Sequence, residues 1–176
     1  MSAAAAYSEL AERLADASGD VIRRHFRNLP DVSDKVDASP VTIADRQAEE
    51  VMRALLEIEC PDHGILGEEG DNVRQDADYL WVLDPIDGTK NFASGSYHFG
   101  TLISLLMNGA PILGIINQPV LGERWFGLAG ETTTLNGQPI KTRACSTLAD
   151  AWMYSTNPAM FQGSAERAFR SLSGRV

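Results

Sequence analysis

Five carboxylates could carry chemistry in this sequence: Glu68 and Glu69, Asp84 and Asp87, and Asp45 upstream. Carboxylates crowded into one place repel one another and resist ionising unless a cation lies between them. Hard divalent ions such as Mg²⁺ take oxygen ligands, so a glutamate, two aspartates and a main-chain carbonyl suit them. Asp84-Pro85-Ile86-Asp87-Gly88-Thr89 closes an apolar run, and Gly67-Glu68-Glu69-Gly70 closes an earlier one. Gly88 lets the chain turn closely, and Thr89-Lys90-Asn91-Phe92 can open a short helix whose N–H groups attract a phosphate. Taken singly, Asp-Pro and Asp-Gly pairs are more often turn formers than ligands, and a Glu-Glu pair is more often a solvated surface. Two acidic turns at the ends of two strands shift the balance, because sheet ends are where sites are built. These residues point to a metal-assisted phosphate site.

The elements that must position them follow from periodicity. Residues 3–27 carry Tyr7, Leu10, Ala11, Leu14, Val21, Ile22 and Phe26 at the spacing of an amphipathic helix, with Arg23, Arg24 and Arg27 where cations favour the helix dipole. Pro30 stops it, and the polar stretch 31–40, with Lys35 and Asp37, reads as a mobile loop. Thr42-Ile43-Ala44-Asp45 has the form of a capping box opening a second helix, with Ala48, Val51, Met52, Leu55 and Leu56 as its stripe and Pro61 as its end. Residues 64–66 form a short strand, and the apolar run 79–83 suits a strand buried on both faces. Segments 101–107, 111–117, 124–129 and 132–135, with tight turns at Asn108-Gly109 and Asn136-Gly137, predict an antiparallel meander. Residues 151–156 add a further strand and 158–172 a helix, which makes the chain layered α+β.

Composition narrows the function. The 176 residues are 44% hydrophobic, with 15 Gly and 8 Pro, which suits one ordinary folded domain and excludes a disordered chain. A net charge of −9 argues against nucleic acid or an anionic membrane as partner, but not against a phosphorylated substrate held through cations. Cys60 and Cys145 have no zinc-type spacing and read as small buried side chains in a reducing cytosol. The N-terminal residues lack a basic n-region, and no apolar run reaches the ~18 residues of a membrane span, so the expected location is cytoplasmic. His98 reads as packed and hydrogen-bonded, His25 and His63 as surface or helix-end residues, and Trp81, Trp125 and Trp152 as core anchors.

Thr42 with Asp45, Gly67-Glu68-Glu69, and Trp81-Val82-Leu83-Asp84-Pro85-Ile86-Asp87-Gly88-Thr89 together resemble the signature of the inositol monophosphatase superfamily in order and spacing. The likeness runs through the Asn136-Gly137 turn and covers nearly the whole chain. Residues 37–42, 99–103 and 118–125 look most like bacterial histidinol-phosphate phosphatases. The resemblance implies a layered α/β sandwich of the inositol monophosphatase/fructose-1,6-bisphosphatase type, with a mostly antiparallel sheet and two N-terminal helices. It also implies Mg²⁺-dependent hydrolysis of a small phosphate monoester by activated water. The substrate would be L-histidinol phosphate, in histidine biosynthesis, with inositol 1-phosphate as the alternative, and the assembly a homodimer. By similarity Glu68, Asp84 and the Ile86 carbonyl would hold one Mg²⁺, Asp84 and Asp87 would share a second, and Glu69 would be an outer carboxylate. Thr89, hydrogen-bonded to Asp45, would orient the attacking water, with Glu68 helping to take its proton. Gly88 and Thr89 would offer N–H groups to the phosphate, and Lys35 would lie in the loop that closes on the site.

One departure stands out. The family carries a C-terminal motif of the WD-x-A-A-G type whose aspartate completes the second metal site, and no tryptophan follows Trp152 here. The expectation is a single N-terminal domain over residues 1–176 with the C-terminal half and its layers missing, a weak second ion, and a sheet face in need of cover. Haloacid-dehalogenase phosphatases also place paired aspartates after a buried strand, but two apart, whereas Asp84 and Asp87 are three apart. The non-enzyme alternative is a metal-binding half-enzyme without turnover.

Overall fold

The N-terminal apolar stripe folds as two helices, α1 (Ala3–Ala6) and α2 (Ser8–His25), separated at Tyr7. The structure, a computed structural model, describes residues 3–28, 32–34 and 40–176. α2 buries Leu10, Ala11, Leu14, Val21 and Ile22, as its spacing requires, and carries Arg23, Arg24 and His25 in its last turn. Part of the expected loop is a two-stranded antiparallel ladder, β1 (Val32–Asp34) with β2 (Pro40–Thr42), in register Val32↔Thr42. β-branched residues in both segments favour that extended pairing. Lys35, expected in the closing loop, lies outside the described residues. β2 runs directly into α3 (Ile43–Glu59), whose capping box is complete: Thr42 accepts from the backbone of Ala44 and Asp45, and the Asp45 side chain reaches back to the Thr42 N–H.

β3 (Gly64–Gly67), β4 (Tyr79–Asp87), β5 (Gly100–Met107), β6 (Ala110–Gln118), β7 (Glu123–Leu128), β8 (Thr134–Leu135) and β9 (Gln138–Pro139) form, among the described residues, a seven-stranded sheet in sequence order. Only the β3–β4 pair in it is parallel; the rest is the antiparallel meander. Alternation along the strands turns Trp81, Leu83, Ile103, Leu105, Leu113 and Ile115 onto Leu10, Leu14, Met52 and Leu56 of the helices. A second cluster, Val21, Ile22, Ala44, Ala48, Ile86, Phe92 and Phe99, packs beneath the end of the sheet where β4 finishes. The short helix α4 (Thr89–Ala93) contributes Phe92 to it. On the other face Val82, Leu102, Ser104, Gly114, Ile116 and Trp125 line an apolar groove of about 530 Å³. This α+β arrangement, with two long helices on a mostly antiparallel sheet, is the predicted fold class.

Residues 1–140 make one compact unit and 141–176 another. The second contains 3₁₀ turns at Leu148–Asp150 and Pro158–Met160 and the helix α5 (Ser164–Ser173). Residues 151–156 are not a strand, since an extended run becomes one only beside a partner, and the predicted helix over 158–172 is interrupted by Gly163 at φ +60°. Phe161 stacks on Phe169 at 4.6 Å between ring centroids, and the Arg143 guanidinium lies over Trp152. Trp152 is 75% exposed, so it anchors no core. Cys145 is likewise exposed rather than buried, Cys60 is half-buried, and both are free thiols. No helix among the described residues is long and apolar enough to cross a membrane.

Candidate functional site

The parallel pairing of β3 and β4 explains why the two acidic turns meet. Gly67 lies opposite Leu83, so β3 and its pairing with β4 end just before Asp84, and the Glu68 N–H donates to the Leu83 carbonyl at 3.2 Å. The side chains of Glu68 and Asp84 then share a hydrogen bond. β4 continues past the predicted stop at Leu83 through an irregularity in its pairing with β5. Asp84 lies opposite Leu102 and Asp87 opposite Gly100, three residues on one strand against two on the other. In a regular strand, residues three apart point to opposite faces; the extra residue of a bulge restores the parity and brings both aspartates to one side. Pro85 is tolerated because a bulge needs no ladder N–H from it, and the buried Thr101 hydroxyl donates to the Pro85 carbonyl at 2.8 Å.

Gly88 follows at φ +97°, where a Cβ would come 2.8 Å from the His98 carbonyl oxygen. Its carbonyl accepts from the N–H groups of Asn91 and Phe92, which starts α4. The Thr89 hydroxyl faces both Asp45 Oδ1 at 3.3 Å and the Ile86 carbonyl at 3.2 Å. Asp45 is buried, and its Oδ2 accepts from the Thr42 N–H at 2.9 Å and from the Thr42 hydroxyl at 2.5 Å. The cap of α3 thus reaches across to the start of α4.

Electrostatics mark the same place. Burial, the hydrogen bond to Glu68 and the charges of Glu68, Asp87 and Asp45 push the Asp84 carboxyl up to about 8. Asp84 Oδ1 is buried with no hydrogen-bond partner. Burial also raises Asp45, against the hydrogen bonds from Thr42 and Thr89. Asp87 is exposed, and among the described residues no three His, Cys, Asp or Glu side chains already stand arranged to hold an ion. An orphaned buried oxygen among crowded carboxylates nevertheless fits a hard divalent cation, which would replace the shared proton.

Residues 4–172 match the inositol monophosphatase family. The chain belongs to that family. It is 51% identical over 172 residues to the chloroplastic bifunctional phosphatase IMPL2 of Arabidopsis thaliana, covering 97% of this chain and 50% of that protein. It is 39% identical to a histidinol-phosphatase of Chlorobaculum parvum, covering 77% of this chain and 53% of the relative. A solved structure of an inositol monophosphatase from Zymomonas mobilis superposes with a TM-score of 0.86 at 47% identity, covering 99% of this chain and 68% of that one. The chain spans about half the length of the curated relatives it matches.

Within this family member the structure also brings in residues that sequence reasoning passed over. Glu49 is buried in α3, and its carboxylate accepts from the N–H groups of Glu69 at 2.8 Å and Gly70 at 2.9 Å. Arg53 pairs with it at 2.7 Å and donates to the Asp71 carbonyl at 2.9 Å. The available signal was an acid on the buried stripe of α3, four residues after Asp45 and four before an arginine. Three further residues have defined partners. Arg124 is committed to Asp16 at 2.5 Å and to Asn117 at 3.0 Å, which fastens β7 to α2. His98 is exposed, although its Nδ1 lies 3.0 Å from the Ser96 hydroxyl. His63, half-buried just past the end of α3, accepts from the Trp81 indole N–H at 3.1 Å and stacks on Tyr79.

Proposed function

We propose that this chain is the metal- and phosphate-binding half of a Mg²⁺-dependent phosphomonoesterase that hydrolyses L-histidinol phosphate. The observation that carries the reading is Asp84, with an orphaned buried Oδ1 and a retained proton, beside Glu68 where the parallel pairing of β3 and β4 ends. Glu68, Asp84 and the Ile86 carbonyl would hold one ion, Asp84 and Asp87 would hold a second, and Glu69 would be an outer carboxylate. Bound there, the ions supply positive charge that polarises the phosphate and lowers the pKa of a coordinated water. The chain's own residues do the rest. Asp45 Oδ1 takes the hydrogen of the Thr89 hydroxyl, which leaves the lone pairs of Thr89 Oγ1 to accept from the attacking water and orient it. Glu68 accepts the proton that the water gives up. The N–H groups of Gly88 and Thr89 hold phosphate oxygens.

Two histidinol-phosphatases, 39% and 34% identical, support histidinol phosphate as substrate. The 47% identical Zymomonas structure favours the second reading, an inositol phosphate. The test is phosphate release by the 176-residue chain from L-histidinol phosphate and from myo-inositol 1-phosphate, with Mg²⁺ or with EDTA. Release from histidinol phosphate that needs Mg²⁺ and exceeds release from the inositol ester is the expected result. Preference for the inositol ester replaces the substrate. No release from either makes the chain a metal-binding half-enzyme without turnover.

A further inference from the structure

Among the described residues, the buried acids are Asp45 and Glu49, each 1% exposed. Asp45 is spent on the cap of α3 and on Thr89, whereas Glu49 faces the turn that carries Glu68 and Glu69. Its Oε2 accepts from the Glu69 N–H and its Oε1 from the Gly70 N–H. Arg53 donates Nε to the same Oε1 and Nη1 to the Asp71 carbonyl, so the pair grips the main chain at 69, 70 and 71. The turn is closed tightly on this grip: a Cβ at Gly67 would lie 2.2 Å from Glu49 Oε1 and 2.4 Å from Arg53 Nη2. Buried ion pairs are poor stabilisers, since desolvation offsets their attraction, and Arg53 Nη2 is itself buried with no partner. What the pair does supply is position. Two charge-assisted bonds, one to each carboxylate oxygen, fix a short turn between two glycines that would otherwise sample many conformations.

We propose that Glu49, held by Arg53, is a positioning residue of the site: it clamps the backbone at Glu69 and Gly70, fixes where Glu68 meets Asp84, and thereby sets the affinity for a divalent ion. This rests on the reading of Glu68 and Asp84 as metal ligands. Glutamine cannot replace Glu49, because its amide nitrogen has no lone pair and would face one of the two N–H groups.

The test compares the 176-residue chain with Glu49→Gln and with the double variant Glu49→Gln/Arg53→Gln, which removes both charges and so leaves no unpaired charge buried. Two readouts are taken: amide hydrogen exchange of the metal-free chains, and Mn²⁺ affinity by isothermal titration calorimetry. The expected result is exchange at the Glu69 and Gly70 amides at least ~10-fold faster, with β4 and β5 amides unchanged, and Mn²⁺ binding about 10- to 100-fold weaker. Unchanged Mn²⁺ affinity in a folded variant overturns the proposal, whatever the exchange shows. So does acceleration spread evenly over β4 and β5 in both variants, which would make the pair a stabiliser of the fold. If the unsubstituted chain binds no Mn²⁺, the metal reading and the affinity claim fall together, and exchange at the two amides alone decides whether Glu49 clamps the turn.

Discussion

The two ends of β4 are built from similar materials and treat their polar groups in opposite ways. At the start of the strand Tyr79 stacks on His63 at 4.9 Å, and buried Trp81 gives its indole N–H to His63 Nδ1. Because indole is only a donor, Nδ1 must be the accepting nitrogen, which leaves the proton on Nε2, 3.4 Å from the Tyr7 hydroxyl. Each polar atom of the His63 ring therefore has a partner, and burial depresses the imidazole pKa below its ordinary value. Near the finish of the same strand Asp84 keeps a proton because it is taken out of water among other acids, and one of its oxygens has no partner. One end is a locked aromatic cluster that holds α2 to the sheet. The other carries unspent polar capacity and a left-handed Gly88, and sites are commonly found where such local conflict is tolerated.

The largest expected effect breaks the second end alone. Asp84→Asn keeps the shape and the shared hydrogen bond but removes the negative charge. Mn²⁺ affinity should fall ~100-fold or more, since even outer partners of a metal typically cost 10- to 100-fold, and Mg²⁺-dependent turnover should disappear. The metal-free variant should melt at or above the temperature of the unsubstituted chain at neutral pH, because asparagine folds without having to take up a proton. Retained turnover in Asp84→Asn would refute the ligand assignment.

A second, smaller effect separates the ends by pH. For His63 the native pKa lies below 6.5, so below pH 6.5 the unfolded chain binds the proton first; stability is full above that pH and is lost as the pH falls through the native pKa. For Asp84 the sign reverses. Between pH 3.8 and about 8 the native chain holds a proton that the unfolded chain has released, so the metal-free protein loses stability as the pH rises through that window. Asp45, raised by burial, adds to the same side. Below pH 6.5 the two contributions oppose each other, so urea midpoints of the metal-free chain should be nearly level from pH 5 to 6.5 and fall from there to pH 8, where Asp84 acts without His63. Asp84→Asn should remove most of the alkaline fall and unmask the acid slope of His63, whereas His63→Gln should extend the fall into the acid range. A variant that changed both regions at once would mean the two ends are not independent.

How much of this was legible depended on whether a residue's partners are local in sequence. The cap at Thr42 and Asp45, the apolar strand from Tyr79 to Leu83 and the meander from Gly100 onward are short-range patterns, and each stands where periodicity and turn residues place it, although β4 runs on to Asp87. The bulge was not legible, because a spacing of three reads as two opposite faces until the pairing with β5 is known; Pro85 was the local hint. The partners of His63 were not legible because Tyr7, Tyr79 and Trp81 come from distant segments, and a lone histidine after a helix carries no period. Glu49 was passed over for the related reason that a charge on an apolar stripe declares its partner only in three dimensions. Residues 151–156 have strand-like composition, but composition does not supply the neighbouring strand that pairing requires.

The smallest expected effect tests whether the site end depends on local chemistry at the start of α3. Thr42 caps the helix and also donates its hydroxyl hydrogen to Asp45, so one side chain serves both stability and the orientation of Thr89. Thr42→Ala should cost about 1 kcal/mol in urea unfolding, the usual worth of a cap. Thr42→Ser, which keeps the hydroxyl, should recover most of it. Because the lost bond lies at the site end, the acid slope assigned to His63 should stay unchanged in both variants. A cost near zero for alanine would mean that water replaces the hydroxyl and that the Asp45 carboxylate holds Thr89 without help from the cap.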